Sequence, residues 1–514
     1  MGRSCMPVSG DISRRAFVLG ASATVAMTAT PGAIADSLPD ADSARLLQLS
    51  AGEAVARMSR GEIAVERYAS VLLARCESLR ALNAFITLEP ARVLEAARAC
   101  DRQRQSGAES GPLFGLPIPV KDSVNTKDYP TTGGTPALRH FRPGEDAPLV
   151  KALRAGGAIV LGKTNLHELS YGWTSNNLAF GAVHNPYDPK RIPGGSSGGT
   201  AAAVASHMAP LGVAEDTEGS IRVPAAMCGI AGFRPTTGRY STQGCVPISP
   251  LFDQVGPLAR TVSDLVLFDS VVANDRHPLR ATPLKGVRFG IVRDYWFAGL
   301  DSEVERLTGL ALQRLRDAGA ELVETELPGL PALIELTTLP VQNHDVRTAL
   351  AGYLKVYGTR LTFEEVVKQA SADIQAGFRR DVLPGAPNFV SEATYAAARD
   401  IHLPALRRLY HDYFARNRVA ALVFPATLVP PPPIGEDVTV NIRGQTVPFE
   451  TAVARNIAPG STAGVPGLVL PAGLTTAGLP VAIEFDAPAA SDRALLALGL
   501  SLEHALGPMQ PPKV

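Results

Sequence analysis

Residues 191–229 read RIPGGSSGGTAAAVASHMAPLGVAEDTEGSIRVPAAMCG. Two hydroxyl clusters, Ser196-Ser197 and Thr217/Ser220, fall in glycine-rich turns on either side of a small-residue helix and a short apolar strand. Glycine in such numbers marks backbone that needs a positive φ or a close approach to another group. TAAAVASHMAP has the side chains of a helix that lies tightly against a sheet, LGVA reads as a buried strand, and EDTEGSIRVPAA reads as a turn into a helix. Ser220 is therefore expected at a strand-to-helix turn. The N–H groups that open a helix are unpaired and carry partial positive charge, so such a turn can hold a developing oxyanion.

Upstream, residues 111–135 change from apolar to polar: GPLFGLPIPVKDSVNTKDYPTTGGT. LPIPV reads as a strand that ends on Lys121-Asp122. A lysine there either snorkels, pairs with Asp122, or has a chemical task. PLVKALRAGGA, IVLGKT and NLHELSYG follow as helix, strand and helix start, a βαβ-like alternation that predicts a parallel or mixed sheet covered by helices. Residues 41–105 are helical in pattern, with Ser50 and Glu53 forming a capping box. Residues 230–261 are rich in turn signals and read as loop. Strands return in GVRFGIVRD, ELVETELP, ALVFPAT, GLVLPAGLT and LPVAIEFDA, and residues 331–419 read as mostly helical. The fold class predicted is an α/β/α sandwich on a large twisted mixed, largely parallel sheet.

The chain has 514 residues, 46% hydrophobic and 19% charged, with 47 Gly and 42 Pro, which suits a loop-rich globular enzyme better than a disordered or fibrous protein. Lys+Arg and Asp+Glu are 49 each, and without a basic run there is no footprint for nucleic acid or an anionic membrane. The nine histidines are scattered and neither C-x-x-C nor H-E-x-x-H occurs, so no metal or other cofactor is expected. Residues 13–19, SRRAFVL, form a twin-arginine pattern before a weakly apolar run and Ala33-Ile34-Ala35, a small-x-small cleavage site. The expected organisation is a signal peptide over 1–35, a mature chain from about Asp36 that is periplasmic or secreted, and one catalytic domain over 36–514. If the signal is not used, the enzyme is cytoplasmic. Cys76, Cys100, Cys228 and Cys245 remain in the mature chain, and their pairing is not readable from spacing.

PIPVKD at 117–122, GGSSGGTAAAVA at 194–205 and DTEGSIRVPAAMCGIAGFRPTTGR at 216–239 resemble the amidase signature family, whose members hydrolyse carboxamides with two serines and a lysine. The resemblance extends over nearly the whole mature chain, with 111–265 as its core. It implies Ser220 as nucleophile, Ser196 after a cis peptide bond as proton relay, Lys121 as base, and the backbone N–H groups of Thr217, Glu218, Gly219 and Ser220 as oxyanion hole. A lysine serves as a base only when neutral, and burial away from other charges favours that form; lowering its pKa from about 10.4 to about 7.5 costs on the order of 4 kcal/mol. Within the family, TPALRHFRPGEDAPLVKALRAGGAIVLGKTNLHELSYGWTSNN is similar to the indoleacetamide and mandelamide hydrolase branch. That similarity implies a small aryl or alkyl amide as substrate, and the balanced charge argues for no nucleic acid and no membrane as partner of the mature form. Carbamates and anilides stay open as substrates because they share the tetrahedral chemistry, and a homodimer stays open as an assembly. Thr132, Gly133, Tyr171, Trp173, Asn176 and Glu218 are candidate substrate-binding residues, with 331–419 shaping the pocket.

Glu218 departs from the family's pattern, which places glycine there. One reading turns it to solvent or to Arg222; the other sets it in the pocket wall. A catalytically impaired binding homologue is the alternative that this carboxylate keeps open. Gly194-Gly195-Ser196-Ser197-Gly198 also satisfies G-x-S-x-G, but NPYDPKRI before it is no strand and no H-G-G-G segment exists, so a Ser-His-Asp hydrolase is disfavoured.

Overall fold

Eleven strands pair into one mixed sheet in the computed structural model, which describes residues 41–514. They are β1 (Phe85–Thr87), β2 (Pro117–Lys121), β3 (Ile159–Thr164), β4 (Leu211–Asp216), β5 (Ala231–Arg234), β6 (Gln254–Ala259), β7 (Arg288–Ile291), β8 (Glu321–Glu324), β9 (Ala421–Pro425), β10 (Gly467–Leu474) and β11 (Pro480–Asp486). Their order across the sheet is β1-β3-β2-β4-β6-β5-β10-β11-β9-β7-β8. Pairing is parallel within β3-β2-β4 and within β9-β7-β8. It is antiparallel through the stretch between them. This is the mixed, helix-covered α/β sheet that the alternation of patterns predicts.

Every residue of β2, β3 and β4 is buried, which is why these strands read as apolar runs and not as alternating ones. The helix Gly198–Ala205 is buried along its length and packs on β2, β4 and β6. Its glycines and alanines permit that approach: a Cβ on Gly199 would lie 2.3 Å from the carbonyl oxygen of Asn165. The helices Ser302–Asp317 and Asp492–Leu506 pack against β10. The Ser50–Glu53 capping box forms as predicted, at the start of Ala51–Ser59. Residues 41–514 form one compact unit, while the expected signal peptide over 1–35 lies outside the described residues. Among the described residues no helix is long and apolar enough to cross a membrane. Cys76, Cys100, Cys228 and Cys245 are all unpaired.

Three local expectations fail. The stretch 41–105, read as helical throughout, breaks at Asn83, which takes a positive φ, and Phe85–Thr87 form β1 against β3. The segment 230–261, read as loop, contains β5 and β6. Pro257 hides β6, because a proline argues against a central strand; here it faces Val213 in the register with β4. NLHELSYG does not start a regular helix. It makes one tight turn, Glu168–Ser170, with Leu169 and Ser170 both at positive φ. Tertiary contacts hold that shape: Leu169 N–H donates to the Gly133 carbonyl at 2.7 Å, and the Ser170 hydroxyl donates to Glu215.

Candidate active site

The carboxyl ends of the parallel strands β3, β2 and β4 stand side by side, the place where open α/β sheets hold their ligands. Each ends on charged residues: Lys163, Lys121-Asp122 and Glu215-Asp216. Both lysines are fully buried. Lys163 takes the part that the sequence left open for Lys121, pairing with Asp122 at 2.9 Å and donating to the carbonyls of Val124 and Pro130 and to Thr131 Oγ1. Lys121 instead reaches Ser196: its Nζ lies 2.6 Å from Ser196 Oγ. The expectation that Lys121 is buried away from other charges is corrected, because Glu215 Oε1 lies 3.1 Å from the same nitrogen. Burial lowers the Lys121 pKa and Glu215 works against that shift.

Ser196 is clamped by backbone and side chains around it. The Gly195–Ser196 peptide bond is cis, as the resemblance implies. The Ser196 carbonyl accepts from His167 N–H at 3.1 Å and from Ser175 Oγ at 3.2 Å, and Ser175 Oγ accepts from Gly198 N–H at 3.0 Å. Gly195 has to be glycine: a Cβ would sit 2.7–2.9 Å from the backbone of Trp173, Thr174 and Ser175.

Ser220 stands in the turn between β4 and the helix Arg222–Met227, as predicted, and its carbonyl accepts from Ser197 N–H at 3.3 Å. Asp216 builds that turn by accepting from Gly219 N–H at 2.6 Å, Ile221 N–H at 3.0 Å and Arg222 Nε at 3.1 Å. Burial alone would raise its pKa, but the Arg222 guanidinium holds it at about 2. Arg222 also donates to Glu484 at 2.5 Å and to the Ile457 carbonyl at 3.0 Å. Of the four expected oxyanion donors, Gly219 is thus already engaged by Asp216. Among the described residues no hydrogen bond is made by the N–H groups of Thr217, Glu218 and Ser220, nor between the Ser220 hydroxyl and Ser196.

Glu218 does not turn to solvent or to Arg222. It is buried, and its Oε2 accepts from Gln342 Nε2 at 2.7 Å, because the helix Leu330–Val356 crosses over the turn. Burial pushes its pKa up to about 8, the like charge of Glu450 adds to this, and Gln342 opposes it. The positive φ of the turn falls on Gly219, which spares Glu218 that conformation.

The candidate binding residues divide. Trp173 Nε1 donates to the Glu218 carbonyl at 3.3 Å and so meets the turn, whereas Tyr171 packs on Phe378 of the helical segment with ring centroids 4.8 Å apart. Asn176 bonds Asp437 at 3.0 Å. Thr132 and Gly133 serve the scaffold: the Thr132 hydroxyl and both backbone N–H groups are spent on Asp122. Sequence reasoning missed Glu215, Ser170 and Gln342. For Glu215 a signal existed, since a carboxylate ending the buried run LGVAED is as conspicuous as a lysine ending LPIPVK.

A buried lysine in contact with a serine, beside a second serine on a strand-to-helix turn, on this sheet, defines a class of hydrolase, and the chain belongs to the Amidase family, whose sequence profile matches residues 68–496. It is similar to indoleacetamide hydrolase of Agrobacterium vitis, 37% identical over 457 residues that cover 89% of this chain and 97% of that protein. It is similar also to mandelamide hydrolase of Pseudomonas putida, 35% identical over 477 residues, covering 90% and 92%. The crystal structure of the peptide amidase from Stenotrophomonas maltophilia superposes with a TM-score of 0.72 at 29% identity, covering 90% of this chain and 98% of that one. The chain is an amidase-family hydrolase that acts on amide C–N bonds.

Proposed function

We propose that the enzyme hydrolyses small carboxamides whose acyl part carries an aryl or alkyl group, through an acyl-enzyme on Ser220. The observation that carries this reading is the 2.6 Å hydrogen bond between Lys121 and Ser196. Lys121, neutral, takes the Ser196 proton as Ser196 takes that of Ser220; Ser220 Oγ bonds to the carbonyl carbon, and the π pair moves to the oxygen. The free N–H groups of Thr217, Glu218 and Ser220 receive that oxyanion. Collapse expels the amine or ammonia, which takes the proton back through Ser196, and water then repeats the sequence on the ester. The Ser196–Ser220 link closes when the Ser220 hydroxyl turns toward Ser196, a tightening common on substrate binding. The names of the two similar hydrolases, and the aromatic pair Tyr171 and Trp173 beside the turn, support an aryl-substituted amide.

The test is labelling with phenylmethanesulfonyl fluoride followed by peptide mass spectrometry. Attachment at Ser220 and loss of turnover in a folded Ser220→Ala variant are expected, whereas labelling at Ser196 alone overturns the assignment. A panel of indoleacetamide, mandelamide, a peptide amide and an aryl carbamate ranks the substrate classes, and fastest turnover of the carbamate would replace the carboxamide reading.

A further inference from the structure

The contact between Lys121 and Glu215 has no part in the reaction as written above. Glu215 precedes Asp216 on β4, and its Oε1 lies 3.1 Å from Lys121 Nζ. The Ser170 hydroxyl donates to the same oxygen from a residue held at φ 58. The Glu215 carbonyl accepts from Ser197 Oγ at 3.1 Å, which ties its backbone to the residue after Ser196. All four side chains are buried. A carboxylate withdrawn from water needs compensation, and here it is met by one hydroxyl and one lysine.

Other titratable groups near the pair are accounted for. Asp216 on the same strand is engaged by Arg222. The Cys245 thiol is pushed well above its usual value by burial and stays neutral. The His167 imidazole, on the loop after β3, is kept neutral by burial. Asp253, beside Glu215, is raised to about 7 by burial and accepts from Thr217 and from the N–H groups of Ile248 and Ser249. Glu215 is the carboxylate in contact with Lys121.

We infer that Glu215, anchored by Ser170, is a positioning residue of the amidase reaction: it aims Lys121 at Ser196 and stabilises the ammonium that forms when the serine proton is taken. The inference rests on Lys121 being the base. As the proton passes from Ser220 to Ser196 and from Ser196 to Lys121, positive charge appears on Nζ while negative charge appears on the substrate oxygen. The ammonium is then paired with Glu215, as the imidazolium of a Ser-His-Asp triad is paired with its aspartate. When the proton leaves Lys121 for the departing nitrogen the pair opens again. The same charge favours protonated Lys121 in the resting enzyme, so Glu215 also sets the acid limb of the pH profile.

The experiment measures the rate of Ser220 labelling by phenylmethanesulfonyl fluoride, and kcat and KM on indoleacetamide, from acid to alkaline pH for the full chain and for Glu215→Gln, Glu215→Asp and Ser170→Ala. Glu215→Gln should move the acid limb down by about one pH unit or more and lower plateau kcat about 10-fold, with KM within about 3-fold. Glu215→Asp should return the limb toward its original position. Ser170→Ala strips a donor from the carboxylate, so its limb should move up, the opposite direction and one that loosened packing does not produce. A limb unmoved in folded Glu215→Gln overturns the inference; should that variant not fold, an unmoved limb in Ser170→Ala does. Labelling of the parent enzyme away from Ser220 instead sinks the serine–lysine reading itself.

Discussion

A lysine ammonium taken out of water must find a counter-charge or give up its proton. Lys163 and Lys121 sit on adjacent strands and solve the problem differently. Lys163 has a carboxylate, two carbonyls and a hydroxyl, a full set for a charged group. Lys121 has a carboxylate and the serine it is proposed to deprotonate. Because burial lowers its pKa and a base works only when neutral, kcat/KM should fall as pH drops and Lys121 takes up a proton. A profile on indoleacetamide that stays flat down to about pH 5 would overturn the neutral-lysine base. Glu218 gives a second test. Its carboxyl is raised to about 8 in the fold from a usual 4.5, so the folded state holds the proton more tightly than the unfolded chain does. Its stability contribution is present below the unfolded value and is lost as pH rises from there through about 8. Glu218→Gln keeps an acceptor for Gln342 but cannot ionise. Its stability relative to the parent should therefore rise between pH 5 and pH 9 by on the order of 4 kcal/mol, read from denaturant midpoints. A constant difference would mean that Glu218 is ionised throughout.

At the scale of elements, the turn between β4 and the helix Arg222–Met227 is held from three directions. Asp216 accepts its N–H groups, Arg222 ties it to Glu484 on β11, and Gln342 reaches it from the helix Leu330–Val356. Arg222 is fully buried between two carboxylates, and removing one partner of such a set strands the others. Arg222→Met should destabilise the enzyme by about 3–5 kcal/mol in urea unfolding. A loss below about 1 kcal/mol would show that the network adds little. The helical segment after β8 has its own apolar cluster, with Phe363, Val366, Ile374 and Phe378 packed against Leu169 beside the site. Glu218 meets this segment through Gln342, so Glu218→Gly should reorder the panel of amides more than it slows the best one. Equal loss on all of them would mean that the side chain maintains the turn's shape.

For the whole molecule, the order of the sheet explains why groups far apart in sequence share one site. Lys121 and Glu215 are 94 residues apart, yet β2 and β4 are neighbours and parallel, so their carboxyl ends coincide. The N-terminal twin-arginine pattern bears on where this enzyme meets its substrate. Replacing Arg14 and Arg15 with lysines should hold the chain in the cytoplasm at precursor length, while the parent is cut near Ala35 and found in the periplasm. Full-length parent protein recovered from the cytoplasm of its host would count against export.

Lys121 and the hydroxyl clusters Ser196-Ser197 and Thr217/Ser220 stood out because each is locally anomalous, a lysine closing an apolar strand and hydroxyls among glycines that turns demand, and the family resemblance singled out Lys121, Ser196 and Ser220 among them. The capping box at Ser50 and most strands were legible for the same local reason, since a cap or an apolar period is complete within a few residues. Pro257 masked β6 because the rule against proline in a central strand concerns the ladder, and the ladder is known only once β4 lies beside it. What Glu215, Ser170, Gln342 and Glu218 touch was decided by tertiary structure alone. A hydrogen bond or ion pair has a range of a few ångströms, and which side chains come within that range depends on strand order and helix crossing, neither of which is written in the neighbourhood of the residues themselves.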